Sequence, residues 1–273
     1  MTPLRPHYLV HLADLASQNI HPHGARATEA LLAALNVQSG QRLLELGCGT
    51  GHTIVRVLAE YDVKVDGVDL LHEMLSIANN RLRLTGLRQR SNLIRAGATV
   101  GLPLKDEWYD AVYAESVLGI HSPEGATTIL SEVFRVLKPG GRFVLNDAVW
   151  KQGTTPETIA SICKEGMTDF GLHVASSGGW SVSDWTACMQ RAGFVVKSCE
   201  LLDNSASPQS SARLSMPDVL SKLLTVFYRL KSRITPRLIR ERRRYRKALL
   251  KHAGEDRYIE ARLFVLVKAS GKN

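Results

Sequence analysis

Apolar strand patterns recur along the first 150 residues of the 273-residue chain, and most of them are separated by helix-length segments. Strand patterns occur at "RLLELG", "VKVDGVDL", "NLIRAGA", "YDAVYAES" and "RFVLNDAV". Strands that alternate with amphipathic helices of ten or more residues run parallel in one sheet, with helices on both faces. The sequence therefore predicts a doubly wound α/β domain.

Three further segments are predicted around these strands. Residues 1–36 are expected to be helical, with a break at "IHPHG". "FVVKSCELL" and "EARLFVLVKA" are read as strands six and seven, giving a sheet domain of residues 37–203 and 257–273. Residues 204–256 lie between these two strands as an insertion. They start in the Ser-rich run "DNSASPQSSARLS", predicted to be a mobile loop, and continue as two helices.

Composition places the chain among ordinary globular proteins, since 44% of its residues are hydrophobic and 22% are charged. No apolar run approaches the roughly 20 residues that a membrane-spanning helix needs. The N-terminal stretch carries Asp14 within it and does not have the pattern of a secretion signal. A cytoplasmic location is therefore predicted.

The cysteines and histidines do not form metal-site patterns. The four cysteines are dispersed without Cys-x-x-Cys spacing, so reduced thiols are expected and a disulfide framework is not. His21 and His23 form a short pair, but no cysteine pair lies near them. No catalytic metal is expected.

The positive charge is concentrated in one segment. The formal net charge is +9, and eleven of the 35 Lys and Arg residues lie between Arg229 and Lys251, together with one Glu. Basic and acidic residues nearly balance over the remainder of the chain. A basic segment of this kind is a candidate surface for anionic partners, although many charged helices are simply solvated.

The run "ELGCGTGH", from Glu45 to His52, follows the first predicted strand and opens a helix. Glycine allows positive φ and close approach of a ligand to the backbone. A doubly wound sheet binds ligands beyond the carboxyl ends of its strands, where this turn is expected to lie. The spacing is G-x-G-x-G, whereas dinucleotide sites use G-x-G-x-x-G, so NAD is not the expected ligand.

This run resembles the first motif of the class I S-adenosylmethionine-dependent methyltransferases. "VDGVDL" resembles the second motif of that family, "LPLKDEWYDAVYAES" its third region and fourth strand, and "RVLKPGGRFVLND" its following helix, turn and fifth strand. "QRAGF" and "RLFVLVKA" resemble its sixth and seventh strands. The resemblance covers about residues 30–200 and 257–269. It implies a Rossmann-like seven-stranded sheet, S-adenosylmethionine as methyl donor and S-adenosylhomocysteine as product.

The resemblance also assigns the cofactor contacts. Asp69, at the end of the second strand, would bind the ribose hydroxyls, and Glu45 would position the turn or the cofactor ammonium. Met74 would pack on the adenine or in the core. The chain has "GAT" where the family usually has "GDA", which leaves adenine recognition to the backbone of Ala98 and Thr99. The remaining contacts are assigned to Gly47, Cys48, Gly49, Gly51, Leu70 and Glu115.

The stretch "AESVLGIHSPEG" is expected to lie beside the transferred methyl group and resembles the sterol, tocopherol and quinone methyltransferases. Methyl transfer mainly requires alignment, and a base is needed only if the acceptor must lose a proton. His121 titrates near neutrality and is the first candidate base. Glu115 and Asp147 are alternatives, and His21 with His23 could close over the site.

Three classes of function remain open from the sequence. The first is methyl transfer to an amphiphilic or anionic small molecule, with residues 1–36 as a lid, residues 204–256 as an acceptor cap and a peripheral contact to an anionic membrane surface. The second is RNA or DNA methylation through the basic helix. It is disfavoured because strand four ends in Ala-Glu-Ser, not in the Asn/Asp-Pro-Pro-aromatic motif typical of base-amine methyltransferases. The third is a non-catalytic domain that binds cofactor or a partner. The oligomeric state is not predicted.

Overall fold

The computed structural model describes residues 7–19, 21, 23–176, 178–202 and 215–270. Within these ranges, seven strands form one sheet in the order 3-2-1-4-5-7-6. The strands are β1 (Arg42–Leu46), β2 (Lys64–Asp69), β3 (Ser91–Arg95), β4 (Tyr109–Glu115), β5 (Leu137–Trp150), β6 (Phe194–Leu202) and β7 (Ile259–Lys268).

Helices precede, connect and extend this sheet. They are α1 (His7–Asp14), α2 (Gly24–Leu35), α3 (His52–Glu60), α4 (His72–Leu84), α5 (Pro123–Val136), α6 (Pro156–Phe170), α7 (Val182–Arg191), α8 (Met216–Ile234) and α9 (Pro236–Lys251). Short 3-10 turns occur at Arg88–Arg90, Ala98–Val100 and Glu255–Arg257. Within the described residues, no helix is both long and apolar enough to cross a membrane.

The strand pairing gives the sheet its functional edge. β3, β2, β1, β4 and β5 pair in parallel, and β7 is antiparallel to both β5 and β6. The chain reverses its direction of travel across the sheet between β1 and β4, so the carboxyl ends of these two strands border the crevice where such folds bind ligands. The predicted doubly wound sheet is confirmed, with two helices before β1 and two helices between β6 and β7.

Helices cover both faces of the sheet. Leu43 and Leu44 are neighbours on β1 and point to opposite faces, and both are fully buried. Leu43 joins a core with residues of α2 and α3, whereas Leu44 joins a second core with residues of α5 and α7. Burial on both sides explains the nearly continuous apolar strands of the sequence.

Several boundaries differ from the sequence predictions. The third strand ends at Arg95, earlier than the predicted "NLIRAGA", so Ala98 lies in a 3-10 turn. The predicted Ser-rich loop falls on residues 203–214, outside the described residues. Helix α6 was not predicted, and only two of its residues, Ile162 and Gly166, are buried.

Helix α8 buries a polar face. Its buried residues are Ser221, Thr225 and Ser232, and its large apolar side chains point outward. The polar face packs against α3 and α4, where Ser221 accepts from the guanidinium of Arg81 and lies 3.2 Å from Nδ1 of His52. Hydrogen bonding, not apolar contact, therefore determines which face of α8 is buried.

Arg81 on α4 is fully buried and connects three segments that are distant in the sequence. Its Nε donates to the carbonyl of Thr50 at 2.8 Å, Nη1 to the carbonyl of Ser221 at 2.7 Å and Nη2 to the carbonyl of Ala16 at 2.9 Å. Nη2 also donates to the hydroxyl of Thr225 at 3.2 Å. Burial lowers the pKa of Arg81 to about 10, so the side chain remains charged at neutral pH.

We expect Arg81→Ala to lower the free energy of unfolding by at least about 3 kcal/mol, because several buried acceptors lose a charged donor. Urea denaturation followed by circular dichroism measures this change. Arg83→Ala, an exposed substitution on the same helix, serves as the control and should change stability by less than about 0.5 kcal/mol. Equal losses for the two variants would show that the Arg81 contacts do not stabilise the fold.

Candidate active site

The glycine turn after β1 lies against two other segments. Gly47, Gly49 and Gly51 all have positive φ, at 67°, 51° and 73°. A Cβ on Gly47 would lie 2.5 Å from Cγ2 of Val117, and one on Gly51 would lie 2.9 Å from Cβ of Ala78. A side chain at Gly47 would push the turn away from Val117 in the loop that follows β4 (the β4 loop), and one at Gly51 would push it away from α4. A Cβ on Gly49 would lie 3.9 Å from the sulfur of Met74, an ordinary van der Waals distance, so glycine is favoured there by its positive φ.

Asp69 connects the end of β2 to this turn. Its Oδ2 accepts from the N–H of Gly49 at 2.9 Å, and its Oδ1 accepts from the N–H of Leu71 at 2.8 Å. Burial raises its pKa. Each carboxylate oxygen can accept further bonds, so the group can hold the turn and still bind a hydroxyl. The neighbouring Leu70 is exposed and lies near Gly97 of the next loop.

The other residues assigned to the adenine lie in two places. Met74 packs in a small cluster with Leu12 of α1 and with Leu71. Ala98 and Thr99 lie in the 3-10 turn that packs on α5, and Cγ2 of Thr99 lies 3.4 Å from the Cβ position of Gly125. The Met74 sulfur is 3.9 Å from the Cβ position of Gly49, whereas Thr99 faces the start of α5.

Glu45 and Cys48 are buried behind the turn. Glu45 accepts from the Tyr113 hydroxyl at 3.0 Å, and burial together with the charge of Glu115 raises its pKa well above the usual range. Sγ of Cys48 lies 3.0 Å from the Cβ position of Gly67 on β2. Both side chains therefore support the turn from the sheet side, and the geometry favours the positioning role of Glu45 over contact with a ligand ammonium.

Glu115, at the end of β4, is held by four side chains. Its carboxylate accepts from the hydroxyls of Thr28 and Thr53, both at 2.7 Å, and from the Asn146 amide at 3.2 Å. Nε2 of His21 lies 2.8 Å from Oε2. Burial raises the pKa of Glu115, but the bonds from His21, Thr28 and Thr53 outweigh burial and lower it to about 2. Glu115 thus stays ionised and anchors the segment before α2 over the sheet edge.

Asp147 has a similar supporting role in the next strand. It accepts from the N–H groups of Leu118 at 2.8 Å, Gly119 at 3.0 Å and Ala148 at 2.9 Å. Burial raises its pKa to about 6, even though these bonds favour the ionised form. The side chain shapes the loop that follows β4, and Gly119 is required there because a Cβ would lie 2.4 Å from Oδ1 of Asp147.

His121 lies on the same loop and is half-buried, and its ring makes no hydrogen bond within the described part of the chain. Burial, followed by the nearby His173, lowers its pKa below the usual 6.5. The loop that follows α6 is fixed there because the N–H of Ser176 donates to the carbonyl of Gly119 at 2.6 Å and Trp150 Nε1 donates to the Ser176 carbonyl at 2.8 Å. His173 was not predicted as a site residue, since α6 itself was not predicted.

Ser116 lies in the stretch that the sequence places beside the methyl position with Glu115 and His121, although the sequence gives it no specific role. It has a positive φ of 52°, and its N–H donates to the carbonyl of Asn146 at 2.9 Å. Its hydroxyl is buried and has no hydrogen-bond partner among the residues described. Because buried hydroxyls normally have partners, this one is available to a ligand between the glycine turn and the β4 loop.

A cleft of about 720 Å³ lies between α1 and α9. We call it the arginine cleft, because the described residues that line it include four arginines, two tyrosines and several aliphatic side chains but no acidic residue. Its lining residues are Tyr8, His11, Leu12, Leu15, Arg233, Ile239, Arg242, Arg243, Tyr245, Arg246, Leu249 and Leu250. Of the eleven basic residues between Arg229 and Lys251, these four arginines line the cleft, and Arg244 lies beside the Tyr245 ring instead.

Glu115 has a depressed pKa, so it stabilises the fold above its ordinary pKa of 4.5, and this contribution is lost as pH falls toward 2. We expect Glu115→Gln to lower the free energy of unfolding by about 3 kcal/mol at neutral pH, and this deficit should shrink between pH 4.5 and about 2. Urea denaturation at several pH values measures the deficit. The exposed substitution Glu157→Gln provides the control, and a pH-independent deficit for Glu115→Gln would contradict the ionised state.

Comparison with known proteins agrees with this geometry. Residues 43–141 match a family model described as a methyltransferase domain. The chain is 30% identical over 182 residues to O-methyltransferase rstn1 of Aspergillus nomiae, an alignment that covers 66% of this chain and 76% of that protein.

No group of three or more His, Cys, Asp or Glu side chains in the described ranges is arranged to hold a metal ion.

Solved structures share the fold over almost the whole chain. A methyltransferase from Geobacter sulfurreducens in complex with S-adenosylhomocysteine superposes with a TM-score of 0.65 and 18% identity, covering 94% of this chain and 96% of that one. The [4+2]-cyclase SpnF superposes with a TM-score of 0.69 and 20% identity, covering 97% and 94%. The fold alone thus does not fix the reaction, but the relative, the family model and the glycine turn with Asp69 agree: this chain belongs to the class I S-adenosylmethionine-dependent methyltransferases.

Proposed function

We propose that this enzyme methylates a hydroxyl oxygen of an anionic, amphiphilic small molecule, and that His121 removes the proton of that hydroxyl. The supporting observation is the contrast between the three candidate bases. Glu115 is held by four side chains and Asp147 by three backbone N–H groups, whereas the His121 ring has no hydrogen bond among the described residues. The relative named as an O-methyltransferase supports transfer to oxygen.

The cofactor would be held at the crevice between β1, β2 and β4. Asp69 would accept from the ribose hydroxyls, the backbone of the glycine turn would contact the methionine portion, and Leu70 with Ala98 would border the adenine. The buried Ser116 hydroxyl, which has no hydrogen-bond partner among the described residues, supports a polar ligand at this place. S-adenosylmethionine supplies an activated methyl group there, so the protein's own work is alignment and proton removal.

His121 suits proton removal because its pKa lies below 6.5, which leaves the ring neutral at physiological pH. A neutral imidazole can accept a proton from a hydroxyl within hydrogen-bond reach. Asp147 supports this role indirectly, since it fixes the N–H groups of Leu118 and Gly119 in the loop that carries His121.

The arginine cleft supports an anionic and partly apolar acceptor. Guanidinium groups bind carboxylate and phosphate groups in a two-pronged geometry, and Tyr8 and Tyr245 offer apolar surface beside them. The cleft also adjoins the cofactor region through α1, because Leu12 lines the cleft and packs against Leu71 and Met74. The cleft has the size of a small-molecule site, which favours a small acceptor over a nucleic acid.

The proposed reaction is tested by incubating the enzyme with S-adenosylmethionine carrying a labelled methyl group. Hydroxylated small molecules that bear a carboxylate or phosphate, and total RNA, are offered in parallel. We expect mass spectrometry to locate the label on an oxygen of a small molecule. Label on carbon or nitrogen, or in RNA, would contradict the proposal.

We expect His121→Ala to lower kcat about 10²- to 10⁴-fold, the usual contribution of a general base, and to leave the affinity for S-adenosylhomocysteine unchanged. In the native enzyme, kcat/KM should fall as pH drops through a pKa below 6.5, because the ring must be neutral to act. This acidic limb should be missing in the variant. His72→Ala changes an exposed histidine of α4 and is the control. A loss below threefold would remove His121 from the reaction.

The arginine cleft is tested by the triple replacement Arg242→Gln, Arg243→Gln and Arg246→Gln. We expect KM for an anionic acceptor to rise at least about tenfold, the loss of more than one charged contact, with calorimetric affinity for S-adenosylhomocysteine retained. Arg240→Gln, Arg244→Gln and Lys247→Gln make the same change in charge on the same helix but do not line the cleft. If both triple variants raised KM equally, the positive charge of α9 would attract the acceptor in a general way, and the cleft would not be the acceptor site.

A further inference from the structure

Helix α8 presents a continuous apolar stripe to the outside. Leu223, Phe227 and Leu230 are 55%, 61% and 53% exposed, and Ile234 is 80% exposed. Residues spaced by three or four positions share one face of an α-helix, so these side chains lie in a row along its axis. We define the α8 stripe as Met216, Val219, Leu223, Val226, Phe227, Leu230 and Ile234, all of which are exposed.

The polar docking face of α8 explains why this stripe is outside. Ser221 and Thr225 bind the buried Arg81, and Ser221 also lies beside His52. Turning the helix to bury the stripe would remove these partners from a charged group in the interior. The stripe is therefore held outward by the fold. Apolar surface of this extent on an otherwise ordinary protein normally marks an interaction site.

Cationic side chains border the stripe on both sides. With 3.6 residues per turn, Lys222, Arg229 and Arg233 fall along one side of it and Lys231 falls along the other. All four are exposed. The one acidic residue of α8, Asp218, lies in its first turn and accepts from Ser215 in a capping box. Arg233 in addition lines the arginine cleft, so positive charge continues from the stripe to α9.

We propose that α8 docks on an anionic lipid bilayer, with the α8 stripe inserted among the headgroups and acyl chains and the bordering cations on lipid phosphates. An apolar face bordered by Lys and Arg is the arrangement of interfacial membrane helices. Pairing of two α8 stripes in a dimer is disfavoured by charge. It would bring rows of cations together, and the helix offers no acidic row to compensate them. Anionic lipid supplies that compensation.

The test is sedimentation with sucrose-loaded vesicles, one set of phosphatidylcholine alone and one with about 30% phosphatidylglycerol. We expect the full chain to bind the anionic vesicles at low salt and to bind the phosphatidylcholine vesicles at least about tenfold more weakly. Binding to the anionic vesicles should weaken as the salt concentration rises. Leu223→Ser, Phe227→Ser and Leu230→Ser together should weaken binding to the anionic vesicles at least about tenfold.

The matched control is Val195→Ser with Leu201→Ser, which removes two exposed apolar side chains from β6 and should bind as the native chain does. Lys222→Gln, Arg229→Gln and Lys231→Gln should weaken binding at low salt and remove most of its salt dependence. Circular dichroism and affinity for S-adenosylhomocysteine confirm that each variant is folded. Because binding is measured without an acceptor, failure of the proposed reaction would leave this test intact.

Three results would overturn the proposal. The first is no binding of the native chain to anionic vesicles, or equal binding to both vesicle types. The second is unchanged binding of the triple serine variant. The third is a dimer of the native chain in analytical ultracentrifugation without lipid that becomes a monomer in the triple serine variant, which would assign the stripe to a second copy of the chain.

Discussion

The buried guanidinium of Arg81 is the interaction on which the arrangement of the site depends. It binds the carbonyl of Thr50 in the glycine turn, the carbonyl of Ala16 after α1 and the Ser221 end of α8. A buried charge is costly unless its donors are satisfied, so these segments are held together as one unit. The glycine turn and the helices around it are thereby coupled, and the outward position of the α8 stripe follows from the same contacts.

A second constraint is the hydrogen bonding of the two carboxylates, Glu115 and Asp147, at the edge of the sheet. Glu115 and Asp147 have the residue type of catalytic bases, and their carboxylates accept the hydrogen bonds that position α2 and the β4 loop. Their pKa values move in opposite directions, to about 2 and about 6, because charged and polar partners dominate for Glu115 and burial dominates for Asp147. The proposed base, His121, lies on the loop that Asp147 positions.

The sequence predicted the sheet well because its strands, and most of the helices between them, carry local apolar patterns, and "ELGCGTGH" with Asp69 marks the predicted cofactor crevice. It could not predict the partners of Glu115, since Thr28 and Thr53 come from other elements 87 and 62 positions away. The periodicity of α8 shows an amphipathic helix but not which face is buried. That choice is made by Arg81, whose contacts with α8 span 140 positions or more.

The coupling of the glycine turn to α8 through Arg81 is tested most directly by hydrogen–deuterium exchange with and without S-adenosylhomocysteine. The ligand should slow amide exchange in the turn of residues 47–53 and also in residues 216–225 of α8, although the latter are not assigned to the ligand. In Arg81→Ala the protection of α8 should be lost. Protection confined to the turn in the native chain, or unchanged protection of α8 in the variant, would contradict the central role of Arg81.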